Sequence, residues 1–340
     1  MGLRIGMVGL GFMGKMHWGC WGKTDGADVV AVCDVDEKKR AGDWSAVDAN
    51  IGESGGRVDL AKQKAYADAA ELFADPDVDV VDITLPTYLH ADNAVKALEA
   101  GKHVICEKPM AITSAEAQRM VDAAASAGKK LFVGHCIRYW PAYAEARKII
   151  KSGEHGRLLS ATFRRIASTP LGSWQNWMQD PAKSGAAVLD LHIHDADFVL
   201  YTFGAPKAVT CRGSGFDAGR YDHTVTTYEY RDGALVAAEG GWIYAPNFGF
   251  EMSFNVAMEK ATLKMGGDLV LKLMPKSGGE AVVEVPPDDG YALELADFAA
   301  CIAGEKASEV VTPDSARQSV KLIELEVESA KTGTTVEVAL

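Results

Sequence analysis

Residues 4–14 read Arg-Ile-Gly-Met-Val-Gly-Leu-Gly-Phe-Met-Gly, an apolar run that leads directly into the pattern Gly9-x-Gly11-x-x-Gly14. Gly9 permits a tight turn from strand to helix, Gly11 lets the backbone approach a pyrophosphate, and Gly14 lets the helix pack closely on the sheet. The first helical turn offers unpaired N–H groups to the anion. Because a strand-like run precedes the glycines and a plausible helix follows, we interpret the stretch as a phosphate-binding turn rather than a purely structural one.

A second apolar run, residues 29–33, ends at Asp34, twenty residues after the glycine pattern. An acidic residue there accepts hydrogen bonds from the adenosine ribose hydroxyls and repels a 2′-phosphate, so Asp34 favours NAD over NADP. A solvated loop carboxylate is the alternative interpretation, and the basic run 38–40 would tolerate NADP. The residues that we expect to bind the cofactor here are Gly9, Gly11, Phe12, Met13, Gly14 and Asp34.

Composition excludes several classes of protein. A chain of 340 residues is long enough for two domains, and a formal net charge of -12 argues against a nucleic-acid partner. No run approaches the roughly 20 apolar residues of a membrane span, and the N-terminal stretch is too glycine-broken for a secretory signal. The six cysteines are scattered without a C-x-x-C spacing, which predicts reduced thiols and a cytoplasmic protein.

The order of predicted elements changes near residue 136. Before it, β-rich runs alternate with helices, one at 91–100 closed by Gly101 and one at 114–127 closed by Gly128, as in a parallel doubly wound sheet. A polar, glycine-rich surface loop is predicted at 50–56. We therefore predict a Rossmann domain over residues 1–136. Its strands are predicted at 5–8, 29–33, 78–85, 103–106 and 130–134.

After residue 136, alternating runs and a hairpin turn at 231–233 predict a large, mostly antiparallel open sheet in an α+β domain over residues 137–340. Helices are predicted at 185–203, 291–302 and 313–330. The predicted strands are 158–166, 208–213, 224–230, 234–242, 251–258, 269–273 and 281–285. An exposed sheet face, with Val225, Phe250, Phe254 and Val256 as examples, suggests a homodimer or homotetramer formed through this sheet.

Two constellations carry candidate chemistry. Glu107-Lys108-Pro109 follows a strand at the carboxyl edge of the parallel sheet, where Lys108 would place a cation beside a substrate oxygen and Pro109 would permit a cis bond. An exposed lysine is the alternative there. The second constellation is Asp190 and His194, one turn apart on a helix, so that the carboxylate orients the imidazole as a general base.

A strand over the same residues would instead group Asp190, His192 and His194, as in a metal site. We prefer the helix because its apolar stripe of residues 189, 193, 196, 200 and 203 ends at Gly204, and we predict no metal. His192 then lies off the Asp190 face and is interpreted as a packing or capping residue.

The three motifs, in this order and at these separations and with Asp197 following His194, resemble the Gfo/Idh/MocA oxidoreductases. The resemblance covers nearly the whole chain, since that family joins a Rossmann domain to an open-sheet domain. It implies catalytic roles for Lys108, Asp190 and His194. It also implies cofactor contacts from Pro86, Thr87, His90, Glu107, Lys108 and Trp177, and substrate contacts from Arg138 and Tyr291. One departure is visible: this chain has Gly185-Ala186-Ala187 where glycine pairs or triplets are common.

These observations predict an NAD-dependent oxidoreductase that oxidises a secondary alcohol of a sugar, sugar acid or cyclitol. His194 would take the hydroxyl proton and Lys108 would stabilise the developing alkoxide. Two alternatives stay open at this point. One is an NAD-dependent glycoside hydrolase, which the same family includes, and the other is a non-catalytic regulator that binds NAD.

Overall fold

The first part of the chain alternates strands and helices, as its sequence predicts. The computed structural model describes residues 2–47, 55–217, 219–307 and 309–340, so most of the predicted loop at 50–56 lies outside the described residues. The elements up to residue 134 are, in chain order, β1 (Leu3–Val8), α1 (Phe12–Trp21), β2 (Ala27–Cys33), α2 (Glu37–Arg40), β3 (Lys64–Tyr66), α3 (Ala69–Ala74), β4 (Val80–Ile83), α4 (His90–Glu99), β5 (His103–Glu107), α5 (Ser114–Ala127) and β6 (Leu131–Gly134).

These six strands form one parallel sheet in the order β3-β2-β1-β4-β5-β6. The strand order reverses between β1 and β4, and the carboxyl ends of strands at such a point are where open α/β sheets bind ligands. Met7 and Val8 of β1, whose side chains point to opposite faces, are both buried, because helices cover both faces of a parallel sheet and select continuous apolar runs. β3 was not predicted, since its three residues are mainly exposed and carry no apolar pattern.

The second part of the chain contains more elements than its sequence predicts. In chain order they are α6 (Pro141–Ser152), β7 (Leu158–Ser168), α7 (Pro181–Ser184), α8 (Ala186–Asp190), α9 (Ile193–Phe203), β8 (Ala208–Ser214), β9 (His223–Glu229), β10 (Leu235–Tyr244), β11 (Phe250–Met258), β12 (Ala261–Met265), β13 (Leu271–Pro275), β14 (Ala281–Val282), α10 (Gly290–Ala303), α11 (Pro313–Thr332) and β15 (Val336–Glu337). Of these, α6, α7, β12 and β15 were missed. The signals for α6 were present, because Pro141 begins it and Gly153, with φ 70°, follows it.

Nine of these strands form the second sheet, in the order β14-β13-β12-β11-β7-β10-β9-β8-β15. Every neighbouring pair is antiparallel except β7 and β10, which run parallel. Along β9, buried and exposed residues alternate strictly, as expected for a sheet with one covered face. The predicted fold class, a parallel Rossmann sheet followed by a large and mostly antiparallel one, is confirmed.

Aromatic side chains from α6 and α9 cover one face of this sheet. The ring of Tyr143 on α6 meets Phe198 on α9 edge-on at 5.0 Å, and Phe163 of β7 and Phe254 of β11 pack into the same cluster. The prediction that Phe254 lies on the exposed face is therefore wrong, and so is that for Val256, which is fully buried. Both residues alternate with partly or fully exposed neighbours in β11, and only the position of the helices decides which of the two sets is covered.

Contacts divide the chain into two compact units. The first comprises Met1–Ala111, Ala115–Cys136 and Asp289–Arg317, and the second Ile112–Ser114, Ile137–Asp288 and Gln318–Leu340. The domain boundary predicted at residue 136 places α10 in the second domain. In the structure, α10 belongs to the first unit. Within the described part of the chain, no helix has the length and apolarity that crossing a bilayer requires.

Candidate active site

The glycine turn after β1 is held by contacts with β2 and β4. Gly9 adopts φ 98°, donates its N–H to the Cys33 carbonyl at 2.9 Å and accepts the hydroxyl of Thr84 at 2.6 Å. A Cβ on Gly9 would lie 2.9 Å from the Thr84 carbonyl oxygen, and one on Gly14 would lie 2.1 Å from the Gly9 carbonyl oxygen. The fold itself therefore requires glycine at both positions.

Gly11 is different, because the protein does not fill the space beside it. A Cβ there would meet no atom of the described residues within 4 Å, and its φ of -83° suits any residue. Gly11 is the N-cap of α1, and the partly exposed Phe12 and Met13 form the first turn, whose N–H groups point out of the helix end. Open space against that end of the helix fits a pyrophosphate, so these residues fit a dinucleotide.

Asp34 lies directly beside this turn. Its carboxylate accepts the Leu10 N–H at 2.7 Å and the Asp36 N–H at 2.9 Å, and its side chain is 10% exposed. A carboxylate offers about four lone-pair sites, so it keeps acceptor capacity for ribose hydroxyls. Lys39 Nζ lies 3.9 Å from the carboxylate, and the Arg40 guanidinium donates to the Asp34 carbonyl at 2.8 Å. These contacts hold Asp34 in place beside the turn, whereas a solvated loop carboxylate would lack them.

The segment after β4 contains three of the residues expected at the nicotinamide ribose. Pro86 precedes a short 3₁₀ helix, and Thr87 and His90 are buried. His90 Nδ1 lies 2.8 Å from the Pro109 carbonyl oxygen, and its Nε2 lies 2.7 Å from that of Leu85. Burial lowers the pKa of His90. Since each ring nitrogen lies next to a main-chain carbonyl oxygen, His90 joins the segments that follow β4 and β5. Its contact with the nicotinamide ribose stays a prediction.

Lys108 follows β5 at the carboxyl edge of the parallel sheet. Its side chain is partly exposed, and the Lys108–Pro109 peptide bond is cis. Glu107, the last residue of β5, is buried, and its Oε2 accepts the Lys108 N–H at 3.0 Å. Sequence reasoning located this segment correctly at the edge where ligands collect, because the carboxyl ends of parallel strands share that edge.

A buried ionic network behind Glu107 was missed. His17 on α1 places Nδ1 3.0 Å from both oxygens of Asp82 and Nε2 3.1 Å from Glu107 Oε1, and Trp21 Nε1 donates to Asp82 at 2.7 Å. Burial acts to lower the pKa of His17, but the two carboxylates raise it well above its ordinary 6.5. Burial likewise acts to raise the pKa of Glu107. His17 opposes this effect, and the pKa of Glu107 is lowered overall. The available signal was a charged residue, Asp82, inside an otherwise apolar strand.

Tyr291, expected at the substrate, belongs to the first unit. It stands in the first turn of α10, where its N–H donates to Asp289 Oδ1 at 3.0 Å. Burial raises the pKa of its hydroxyl well above the ordinary value, and Cys136 and Glu107 add to the effect. Tyr291 therefore shares a neighbourhood with the Glu107 carboxylate, which no local pattern in the sequence indicated.

In the second unit, the predicted helix over residues 185–203 is interrupted. The helix α8 ends at Asp190 and α9 begins at Ile193, and the His192 N–H donates to the Ala187 carbonyl at 2.9 Å across the break. The prediction of one continuous helix is wrong, whereas its end at Gly204, with φ 82°, is right. The strand that a metal site would need is not formed. Asp190 is buried at the end of α8, and His194 is partly exposed in the first turn of α9.

The other ionisable groups of this segment take part in buried ion pairs. Asp197 accepts two hydrogen bonds from the Arg138 guanidinium, at 2.9 and 2.6 Å, and one from Ser319 at 2.6 Å. Asp195 accepts two from Arg165, at 3.0 and 3.2 Å. Removing one partner of such a pair costs about 3–5 kcal/mol, because it leaves a buried charge. Arg138, expected to bind substrate, forms a buried ion pair with Asp197, and its contact with substrate stays a prediction.

His192 is fully buried and makes no capping hydrogen bond, so it packs rather than caps. Its Nε2 lies 2.8 Å from Glu326 of α11, and the hydroxyls of Thr226 and Tyr228 donate to the same carboxylate at 2.8 and 2.9 Å. The carboxylate raises the pKa of His192 although burial, the largest influence, opposes it. Glu326 stands 134 residues from its imidazole, which is why no spacing rule pointed to it.

Trp177 and Ala186 flank this region. Trp177 is partly exposed in a short 3₁₀ helix, after Gln175 and Asn176 with left-handed φ of 50° and 53°. Gly185 and Ala186 are also left-handed, with φ of 73° and 59°, a conformation that costs a residue with a Cβ about 1–2 kcal/mol. The resemblance predicts a glycine at position 186, and glycine would adopt this left-handed conformation without that cost.

The glycine turn, the acid after β2 and the lysine after β5 define a Rossmann protein built for a dinucleotide. Comparison with known proteins agrees: residues 3–135 match the family model described as "Oxidoreductase family, NAD-binding Rossmann fold", and residues 143–264 match the "GFO/IDH/MocA C-terminal domain". The chain belongs to the GFO/IDH/MocA family of oxidoreductases, and the predicted enzyme class and cofactor, NAD, are confirmed.

Individual relatives are moderately similar. Inositol 2-dehydrogenase of Salmonella typhimurium is 29% identical over 311 residues, which cover 88% of this chain and 85% of the relative. The 1,5-anhydro-D-fructose reductase of Ensifer adhaerens is 30% identical over 256 residues, 71% and 74% of the two chains. A solved structure of levoglucosan dehydrogenase in complex with NADH and levoglucosan superposes with a TM-score of 0.85 over 100% of both chains at 23% identity, which shows the shared fold.

Proposed function

We propose that this enzyme oxidises a secondary alcohol of a sugar, sugar acid or cyclitol with NAD, in a reversible reaction. The names of the relatives support the substrate class, since they include an inositol dehydrogenase and an anhydrofructose reductase. NADP is the less favoured cofactor because Asp34 presents a carboxylate beside the glycine turn.

The observation that carries the proposal is the selective exposure of His194. Among the ionisable residues Asp190, His192, His194, Asp195 and Asp197, His194 is the one that is not buried. Structural ion pairs account for Asp195, Asp197 and His192. A partly exposed histidine, on a helix whose other charges are neutralised, is suited to exchange a proton with a bound molecule.

Each of the three catalytic residues has a proposed task. His194 takes the proton of the substrate hydroxyl, and Asp190 holds the imidazole in orientation. Lys108, held through its backbone N–H by Glu107, stabilises the alkoxide as it develops. NAD, when bound, supplies the hydride acceptor. Around this chemistry, we propose cofactor contacts from Pro86, Thr87, His90, Glu107 and Trp177, and substrate contacts from Arg138 and Tyr291.

A spectrophotometric screen tests the proposal. NADH formation is followed at about 340 nm, a property of the reduced cofactor, across inositols, aldoses and sugar acids, with NAD and NADP in parallel. Turnover of at least one polyol with NAD is expected. Release of a leaving group from glycosides without net NADH would indicate the hydrolase reaction instead. NAD binding without any turnover would indicate a regulator.

The role of His194 is tested by His194→Ala. Loss of the general base is expected to lower kcat by about 100-fold or more, with little change in the Kd of NADH measured by fluorescence titration. His155→Ala is a matched control, since His155 is a histidine of the same unit outside the segment 186–203. Unchanged turnover in His194→Ala would remove the assignment.

We further propose that the enzyme is a cytoplasmic homodimer or homotetramer. All six cysteines are free thiols and buried, as in a reducing compartment. On the open face of the nine-stranded sheet, Arg164 lies between Glu239, at 3.2 Å, and Glu251, at 3.0 Å. The exposed Val225 is paired with Glu239, and Leu235 of the same strand as Glu239 is also exposed. A face that carries both charge signs around apolar side chains is suited to meet a second copy of itself.

A further inference from the structure

The buried imidazole of His17 faces a carboxylate at each ring nitrogen. Asp82 of β4 lies at Nδ1 and Glu107 of β5 lies at Nε2, and all three side chains are nearly inaccessible to solvent. An ionised carboxylate only accepts hydrogen bonds, so both contacts are satisfied when the ring carries two protons. The geometry therefore describes an imidazolium between two carboxylates, with a net charge of one negative unit in the group.

The contacts continue from this group to the backbone of Lys108. Glu107 uses Oε1 toward His17 and Oε2 to accept the Lys108 N–H at 3.0 Å. On the neighbouring strand, Gly134 is paired with Glu107, and a Cβ there would lie 3.0 Å from Oε1, so the carboxylate fits closely against the strand. Each oxygen of Glu107 thus has a defined partner, and one of these partners belongs to the helix that begins at the glycine turn.

We propose that His17 is a positioning residue for the reaction: through Glu107 it fixes the backbone of Lys108 relative to α1 and the glycine turn. The chemical task of Lys108 rests on the proposed function, whereas the link from His17 to the Lys108 backbone does not. A displacement of about 1 Å at a reacting group lowers turnover by up to about 100-fold, so a residue that holds Lys108 affects kcat without contacting substrate.

A purely structural role for His17 makes a different prediction. If the imidazolium only balances buried charge, replacing it together with one carboxylate should restore the protein fully. The double variant His17→Gln with Asp82→Asn leaves Glu107 as the single ionised group, so the net charge is again one negative unit. This variant keeps polar groups at both positions and removes the cation that holds Glu107. The single variant His17→Gln would strand two buried carboxylates, and its failure to fold would be uninformative.

The first measurement separates binding from turnover. In the folded double variant, kcat is expected to fall about 10- to 100-fold, while the Kd of NADH changes by less than about threefold. His103→Gln is the control, because His103 lies at the opposite end of β5 and its Nδ1 accepts the Lys130 N–H. Wild-type kcat in a folded double variant would overturn the proposal.

The second measurement does not depend on a substrate. Hydrogen exchange of the Lys108 amide reports its bond to Glu107, and exchange is expected to be at least about tenfold faster in the double variant. Unchanged exchange overturns the proposed route through Glu107 even if kcat falls. If the wild-type enzyme turns over no polyol, the proposed function fails, and the exchange measurement still decides the role of His17.

The third measurement uses the wild-type protein alone. The groups that face His17 are Asp82 and Glu107, and α10, which also packs on α1, brings the buried Glu294 near Cys20. In ¹⁵N spectra of selectively labelled histidine, His17 is expected to keep protons on both ring nitrogens at about pH 8, where an ordinary imidazole is neutral. A ring with one proton at that pH would overturn the proposal.

Discussion

Single residues of the glycine turn obey different constraints although they belong to one motif. At position 14, glycine is required because a Cβ would overlap the Gly9 carbonyl oxygen. At position 11 the protein leaves open space, and we expect glycine there because the cofactor needs that space. We expect Gly14→Ala to lower the free energy of unfolding by about 1–3 kcal/mol, because the new Cβ would overlap the Gly9 carbonyl. Gly11→Val should change stability by less than about 1 kcal/mol and raise the Kd of NADH at least about tenfold. Urea unfolding and fluorescence titration measure both quantities, and equal stability losses in the two variants would contradict this distinction.

We expect Asp34 to discriminate between the two nicotinamide cofactors through its charge. Asp34→Asn keeps an oxygen to accept the Leu10 N–H but removes the repulsion of a 2′-phosphate, and it frees Lys39 from the carboxylate 3.9 Å away. The ratio of the Kd values for NADP and NAD should fall at least about tenfold, or about 1.4 kcal/mol. Asp36→Asn is the control, since this exposed residue caps α2 two positions further on. A ratio that moves equally in both variants would assign the effect to general charge.

At the scale of elements, the network that joins α1, β4 and β5 makes stability depend on pH. His17 has a raised pKa, so its contribution is complete below about 6.5 and is lost as the pH rises through the raised value. Glu107 has a lowered pKa, so its contribution is complete above about 4.5 and is lost as the pH falls through the lowered value. The stability difference between the wild type and the double variant His17→Gln with Asp82→Asn should therefore be largest between these values.

Urea unfolding at a series of pH values between about 4 and 10 measures this difference. The difference should decline on both sides of the interval from 4.5 to 6.5. A difference that is constant from pH 5.5 to 10 would show that His17 does not titrate with a raised pKa.

At the scale of the whole molecule, association is expected through the open sheet face of the second unit. Light scattering should give a mass of two or four chains of 36.3 kDa. Val225→Lys places a charge among the exposed residues of this face and should shift the mass toward one chain. Val282→Lys is the control, because Val282 is exposed on β14, an edge strand of the sheet. This variant should leave the mass unchanged. A monomeric wild type would refute the proposal.

The two parts of the chain differed in how far their sequence predicted their structure. Most parallel strands were predicted within two or three residues, because their burial on both faces selects continuous apolar runs. In the second sheet, alternation predicted most strands but placed Phe254 and Val256 on the wrong face. Alternation indicates that two sets of residues lie on opposite faces of the sheet. It does not indicate which of the two faces the helices cover.

Local sequence was sufficient where a feature depends on local conformation. The glycine turn, the lysine after β5 and the end of α9 at Gly204 follow from backbone requirements of a few neighbouring residues. Tertiary structure alone decided the partners of buried charges: Arg138 with Asp197, His192 with Glu326, and His17 with Asp82 and Glu107. These partners are 59 to 134 residues apart, and a buried charge is stabilised only by the groups that folding brings within hydrogen-bond distance of it.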